Sequence, residues 1–379
     1  GGKVAPVGGA GGDCGVDCPP EGGAPPIGRE CVDSAADCAS TAPICDPAEG
    51  KCRACGTDAE CTTSVGRDFC AKSGRCAECK TDSDCRGARP ICGNVGDCRG
   101  CANHDECASG VCNSETGSCA APTTAVYALS ETGIPGNVCG TIDAPCRYLD
   151  AAAAQLTAAR PNLVVLATPQ TMRYGGANLP AIPGLRVIGN GVVLSPYDGI
   201  AVFRVPAGAS VLFDDVLIQE VNAGVLNGET SAGIECTGAS MVVKNSTFSK
   251  NRRGVYATDC DVVVTDSLFS SNANPHDYGD VALRVSCAGE TCDRSVTLER
   301  NRFEDNGVAL SVSVVKGARI ENNLFLRNGA PGYTRVIALQ AQATKFAYNT
   351  LVGNYNSCTY VGVVTCNSCL LYTSPSPRD

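Results

Sequence analysis

Acid–base chemistry on a single bond needs carboxylates, bases and cations that converge on it. The residues here that could supply them are few. Asp214 and Asp215 are adjacent. His276 stands in the segment SNANPHDYGD with Asp277 and Asp280, and Arg252-Arg253 lie close in sequence to Asp259 and Asp261. An imidazole among carboxylates could move a proton or hold a cation, and paired arginines offer forked donors to a sugar carboxylate. Asp198, Glu220, Glu235, Asp266 and Glu299 are spread singly, while Tyr174, Tyr197, Tyr256 and Tyr278 could stack on sugar rings. Each group also has a plainer reading as part of a solvated loop or turn. The candidate ligand contacts are therefore Arg252, Arg253, Asp259, Asp261, His276, Asp277 and Asp280, with no catalytic residue and no metal ligand assigned. The other histidine, His104, is expected to be exposed.

Cysteine decides how the first third of the chain is held. Of 27 cysteines in 379 residues, sixteen fall between Cys31 and Cys119. They form four units: Cys31-Cys38-Cys45-Cys52, Cys55-Cys61-Cys70-Cys76, Cys79-Cys85-Cys92-Cys98 and Cys101-Cys107-Cys112-Cys119. The units meet at CRAC, CAEC and CRGC. Only seven large apolar residues lie in this stretch, too few for a core, so covalent links must replace one. That points to disulfides and an oxidising compartment. Four cysteines per unit leave three pairings open. Zinc is the competing reading of CRAC and CAEC, but two further cysteines interrupt the gap between them. An acidic residue precedes the second cysteine of every unit: Asp37, Glu60, Asp84 and Glu106. It reads as a cap on backbone donors, with no cofactor assigned and calcium the one left open. The spacing resembles the cysteine-rich repeat named after the N-terminal region of Dickkopf proteins, similar repeats of which occur in bacterial surface proteins.

A longer repeat follows. The runs VIGNGV (from Val187), FDDVLI (Phe213), VKNSTF (Val243), VTDSLF (Val264), LERNRF (Leu298), IENNLF (Ile320) and FAYNTL (Phe346) begin and end apolar, with polar residues between. In the last five, an Asn stands eight positions after the first residue: Asn251, Asn272, Asn306, Asn328 and Asn354. Three short strands and their turns occupy about 22 residues, and such rungs stack at ~4.8 Å so that each strand pairs with its copies above and below. Inward Val, Ile, Leu and Phe then form a continuous interior. Asn301, Asn323 and Asn349 are expected at one corner and the five spaced asparagines at another, where Asn tolerates a left-handed backbone and its amides can ladder. Replacing Asn328 by Val is expected to cost about 1–3 kcal/mol. The run from Arg147 to Arg160 reads as an amphipathic helix stopped by Pro161, placed to cover the strand edge of the first rung. Disulfide candidates here are Cys139 with Cys146 in one loop, and Cys236, Cys260, Cys287, Cys292, Cys358 and Cys366.

The expected fold class is thus all-β: a right-handed parallel β-helix with a short N-terminal cap helix, preceded by disulfide-rich modules with little regular structure. Residues 126–368 resemble the parallel β-helix proteins that include pectate lyases and polygalacturonases. The resemblance implies either a surface scaffold or a polysaccharide lyase or glycoside hydrolase. The Gly-His-Gly of the resembling hydrolases is absent, and Asp215 falls at a rung corner, so the reading is a non-catalytic secreted or cell-surface scaffold for adhesion or glycan binding.

Composition excludes two partners. Net charge is −9, with no run of five like charges, against nucleic-acid binding. No apolar run approaches the ~20 residues of a membrane span. Residues 1–30 are a Gly/Pro-rich linker and 120–125 a second linker. The tail CLLYTSPSPRD (369–379) resembles a translated sequencing adapter, so the segment is expected to be a metagenomic fragment truncated at its C-terminus, with its export signal missing.

Overall fold

The computed structural model describes residues 38, 43–46, 48–49, 51–61, 67–129, 133–135, 138–166, 172–174, 176–196, 201–221, 232–272, 281–289, 292–329, 336–354 and 359–360. The chain divides into two compact units: residues 1–101 with 116–118, and residues 102–115 with 119–379.

In the first unit the second and third cysteine modules are each a short turn followed by a hairpin, and the hairpin of the first is also described. The hairpins pair Ile44–Asp46 with Lys51–Arg53, Phe69–Cys70 with Cys76–Ala77, and Ile91–Cys92 with Cys98–Arg99. The disulfides join first to third and second to fourth cysteines: Cys55–Cys70 and Cys61–Cys76, then Cys79–Cys92 and Cys85–Cys98. Cys38–Cys52 fits the same pattern. The acidic residue before the second cysteine caps the turn, as a short helical turn with orphan N–H groups requires. Glu60 Oε2 accepts from the N–H groups of Gly56 (2.6 Å) and Thr57 (3.1 Å), and Asp84 Oδ2 from Lys80 and Thr81 (both 2.9 Å). Arg53 and these backbone donors hold the Glu60 carboxyl down to about 2.

The second unit holds a solenoid of parallel strands on three faces. Face A comprises Ala177–Asn178, Phe203–Val205, Ile234–Thr237, Val255–Thr258 and Leu283–Ser286. Face B comprises Ala125–Ala128, Asn162–Val165, Leu185–Ile188, Ser210–Asp214, Ser240–Lys244, Asp261–Thr265 and Cys292–Glu299. Faces A and B merge into one sheet of 15 strands because Leu310–Glu321 and Ile337–Ala347 run through the corner without a break. Face C has eight strands, among them Thr247–Ser249, Leu268–Ser270, Arg302–Glu304 and Leu324–Leu326. Every pair of neighbours described on these faces is parallel, with constant register in pairs such as Phe213↔Val243 and Val243↔Val264 and a shift only where Leu310–Glu321 meets Cys292–Glu299 and Ile337–Ala347. Alternate side chains therefore point inward along each strand. On face C the inward column is Phe248, Phe269, Phe303 and Phe325, with ring centroids 4.9 Å apart.

Two ladders line the corners on either side of face C. Beside face B, Ser246, Ser267, Asn301, Asn323 and Asn349 each accept the backbone N–H of the matching residue one rung earlier. At the far corner Asn251, Asn272, Asn306, Asn328 and Asn354 do the same at 2.8–3.1 Å. The ladder asparagines are not the left-handed residues. Positive φ falls one position earlier, at Asn245, Asp266, Arg300, Asn322 and Tyr348, and at Lys250, Ser271, Asp305, Arg327 and Gly353. The ladder residue must turn its amide into the corner, so its neighbour takes the strained backbone and points outward, where Asp, Arg or Tyr serves equally.

The expected helix over 147–160 is only Leu149–Ala153. Packing overrides the propensity of the alanine run: Leu149, Ala152 and Ala153 already fill the end of the interior, and Thr157 and Arg160 close a tight turn instead. The short helix does cap the first rung, packing against Ala177–Asn178 and Ala125–Ala128, but it shares the backbone edge of Ala125–Ala128 with a loop. That loop, closed by Cys139–Cys146, pairs with the edge through Tyr127 N–H to Gly140 O and Cys146 N–H to Tyr127 O.

Candidate functional site

Among the described residues, face A carries an outward cluster of guanidinium and aromatic groups that the rung register builds. Its outward columns are Arg204, Glu235, Tyr256, Arg284 and Ser311, and beside them Thr237, Thr258, Ser286 and Ser313. Arg253 precedes the strand Val255–Thr258, and its guanidinium lies 5.0 Å from the Tyr256 ring centroid. That of Arg284, one rung on, lies at 5.4 Å. Arg204 Nε donates to Glu235 Oε2 at 3.1 Å. The arrangement is a ring holding two forks of donors. The Nε of Arg284 is buried without a hydrogen-bond partner.

The sequence candidates do not form one site. Arg252 and Arg253 precede Val255–Thr258, whereas Asp259 and Asp261 follow it, so a strand length of roughly 13 Å intervenes. Asp259 Oδ1 accepts from Ala288 N–H, and Asp261 binds Arg294 and Ser295. Both thus anchor the segment that carries the Cys287–Cys292 bridge. Cys236 and Cys260 are bridged and buried. His276, Asp277, Asp280, Cys358 and Cys366 lie outside the described residues.

His104 is not exposed on its own. Its Nδ1 accepts from Cys112 N–H at 3.0 Å and its Nε2 lies 3.2 Å from Asp214 Oδ2. Lys244 Nζ is 3.1 Å from the same oxygen, and Asn245 Nδ2 donates to Oδ1 at 2.9 Å. Both imidazole nitrogens are occupied, which leaves no lone pair for a general base. Burial pushes the Asp214 carboxyl up, but the hydrogen bonds from His104, Asn245 and Lys244 outweigh it and hold the group below the usual range. Burial and the charge of Asp214 push Asp215 up. This constellation was hidden in the sequence because the partners are remote; the one signal was a histidine where two other modules carry Asp.

The other outward carboxylates are also engaged across rungs. Arg300 forks onto Asp266 (2.7 and 2.8 Å) and Arg327 onto Asp305 (both 2.8 Å). Glu321 lies between Arg319 and Lys345. These arginines hold Asp266 and Asp305 below their ordinary values, as Lys345 and then Arg319 do for Glu321. Folded values below unfolded ones mean that the unfolded chain binds more protons in acid. Thermal stability is therefore expected to be flat above about pH 5 and to fall as pH drops below about 4. Melting curves from pH 7 to 2.5 check this; a midpoint that holds or rises down to pH 3 contradicts it. Added salt should blunt the contribution of the exposed pairs.

No curated protein and no solved structure is significantly similar to the chain. Residues 232–372 match the family described as right handed beta helix region, and with the stacked parallel strands this makes the solenoid a right-handed parallel β-helix.

Proposed function

We propose that the chain is a non-catalytic secreted or cell-surface protein, in which disulfide modules precede a β-helix that binds glycan on face A. The observation that carries this reading is the Arg253–Tyr256–Arg284 cluster on the outward side of that face. Guanidinium forks steadied by a ring lose less freedom on binding, and they match the carboxylate or sulfate of an acidic sugar. A linear polymer along the stack would meet one outward side chain of this column per rung, at the spacing of paired strands.

The disulfide content supports an oxidising, extracellular setting, and among the described residues no helix is long and apolar enough to cross a membrane. Against catalysis, the described outward carboxylates of the β-helix that have been placed above are tied to cations or backbone donors rather than aimed at a shared point. No cofactor is assigned.

Tyr256→Ala should leave the fold intact, because the ring points outward, yet weaken retention on an acidic polysaccharide roughly tenfold by releasing both arginines. Affinity electrophoresis in gels containing pectate, alginate or hyaluronan measures this. Equal retardation of variant and parent removes the assignment to face A.

A further inference from the structure

Three modules build the same internal hydrogen bond with different residues. Asp58 Oδ1 accepts from Cys70 N–H at 2.8 Å and Asp82 Oδ1 from Cys92 N–H at 2.7 Å. In the fourth module the acceptor is His104 Nδ1, which receives Cys112 N–H at 3.0 Å. An accepting Nδ1 places the neutral ring's proton on Nε2, which faces Asp214 Oδ2 on the outside of face B. Histidine thus keeps the internal bond that Asp makes elsewhere and adds a second, outward one.

The rest of the segment follows that contact. Val111 is fully buried against Ala125, Tyr127, Val164 and Ile188, which occupy the outside of the first three face B strands. Tyr127 donates its hydroxyl to Ser109 O at 3.1 Å, and Lys244 Nζ lies 3.2 Å from Ser114 Oγ. Asp105, Asp214, Asp215 and Lys244 are the charged groups around His104.

We propose that His104 is the docking key of the fourth module: the exchange of Asp for His at this turn position converts a self-contained repeat into a lid fixed over the first rungs of face B. The first rungs of that face are thereby closed to ligands.

The test is His104→Asp, which restores the residue used by the second and third modules. The new carboxylate can still accept from Cys112 N–H but has no donor for Asp214 and faces Asp105 and Asp215. The Cys107–Cys119 bridge should persist in peptide maps, while Tyr127, 1% exposed in the parent, should be nitrated by tetranitromethane at least about tenfold faster. In His104→Asp/Asp214→Asn, an amide can donate to the new carboxylate and protection should partly return. Unchanged protection of Tyr127 in the single variant overturns the proposal. So does loss of the Cys107–Cys119 bridge, since Asp would then not serve the internal role.

Discussion

Replacing Asn306 by valine is expected to remove about 2–6 kcal/mol of stability, at ~1–3 kcal/mol for each of the two buried backbone groups that lose their side-chain partner. Asn306 is 1% exposed. Its Oδ1 accepts from the backbone N–H of Asn272 (2.9 Å) and from Asn272 Nδ2 (3.0 Å), and its Nδ2 donates to Phe269 O and to Asn328 Oδ1, both at 2.9 Å. Valine fills the space but removes the side-chain partners of Asn272 N–H and Phe269 O, whereas Asn328 Oδ1 keeps the backbone N–H of residue 306 and Asn272 Nδ2 keeps Phe248 O. The cost comes from stranded hydrogen-bonding groups and not from the left-handed backbone, which Asp305 carries (φ 54°). Asn301→Ser should be milder, at about 1 kcal/mol, because Ser246 and Ser267 already accept backbone donors in that ladder. Urea unfolding followed by circular dichroism compares the two. A loss below about 0.5 kcal/mol for Asn306→Val would contradict the ladder as a source of stability.

Phe269→Ala should cost about 3–5 kcal/mol. The ring is fully buried between Phe248 and Phe303, stacked on both at 4.9 Å, and has no outlet to solvent. Removal opens a gap that two flanking rungs cannot close, since their backbones are fixed by parallel pairing on either side. In a stack where each rung touches only its neighbours, the damage falls on two interfaces. Phe269→Leu should recover most of the loss by refilling the volume. A midpoint for Phe269→Ala equal to that of the parent protein would place the ring outside the interior.

The solenoid was legible because its grammar is local. A rung motif and an Asn eight residues on bracket one face C strand, so that Asn301 and Asn306 flank Arg302–Glu304. Corner chemistry was read one residue out of place, since sequence shows which positions are polar but not which of two neighbours carries the turn. The helix over 147–160 failed for a different reason. Alanine-rich periodicity describes an isolated segment, whereas the end of the interior has room for one helical turn. The site on face A was half legible. Arg252-Arg253 drew notice as a charged pair, but their apparent partners Asp259 and Asp261 face the Cys287–Cys292 segment. Tyr256 and Arg284 meet only through the register between the rungs. His104 and Asp214 are separated by over a hundred residues, and no pattern in either segment announces the other.

Binding without cleavage is checked by incubating the purified protein with pectate, alginate and hyaluronan, with and without calcium. The expected result is retention of the protein on an acidic polysaccharide, weakened in Tyr256→Ala, with no new reducing ends and no unsaturated uronates. Cleavage products that accumulate with the parent protein and vanish with Arg253→Ala or Asp277→Ala would contradict it and establish a lyase or hydrolase.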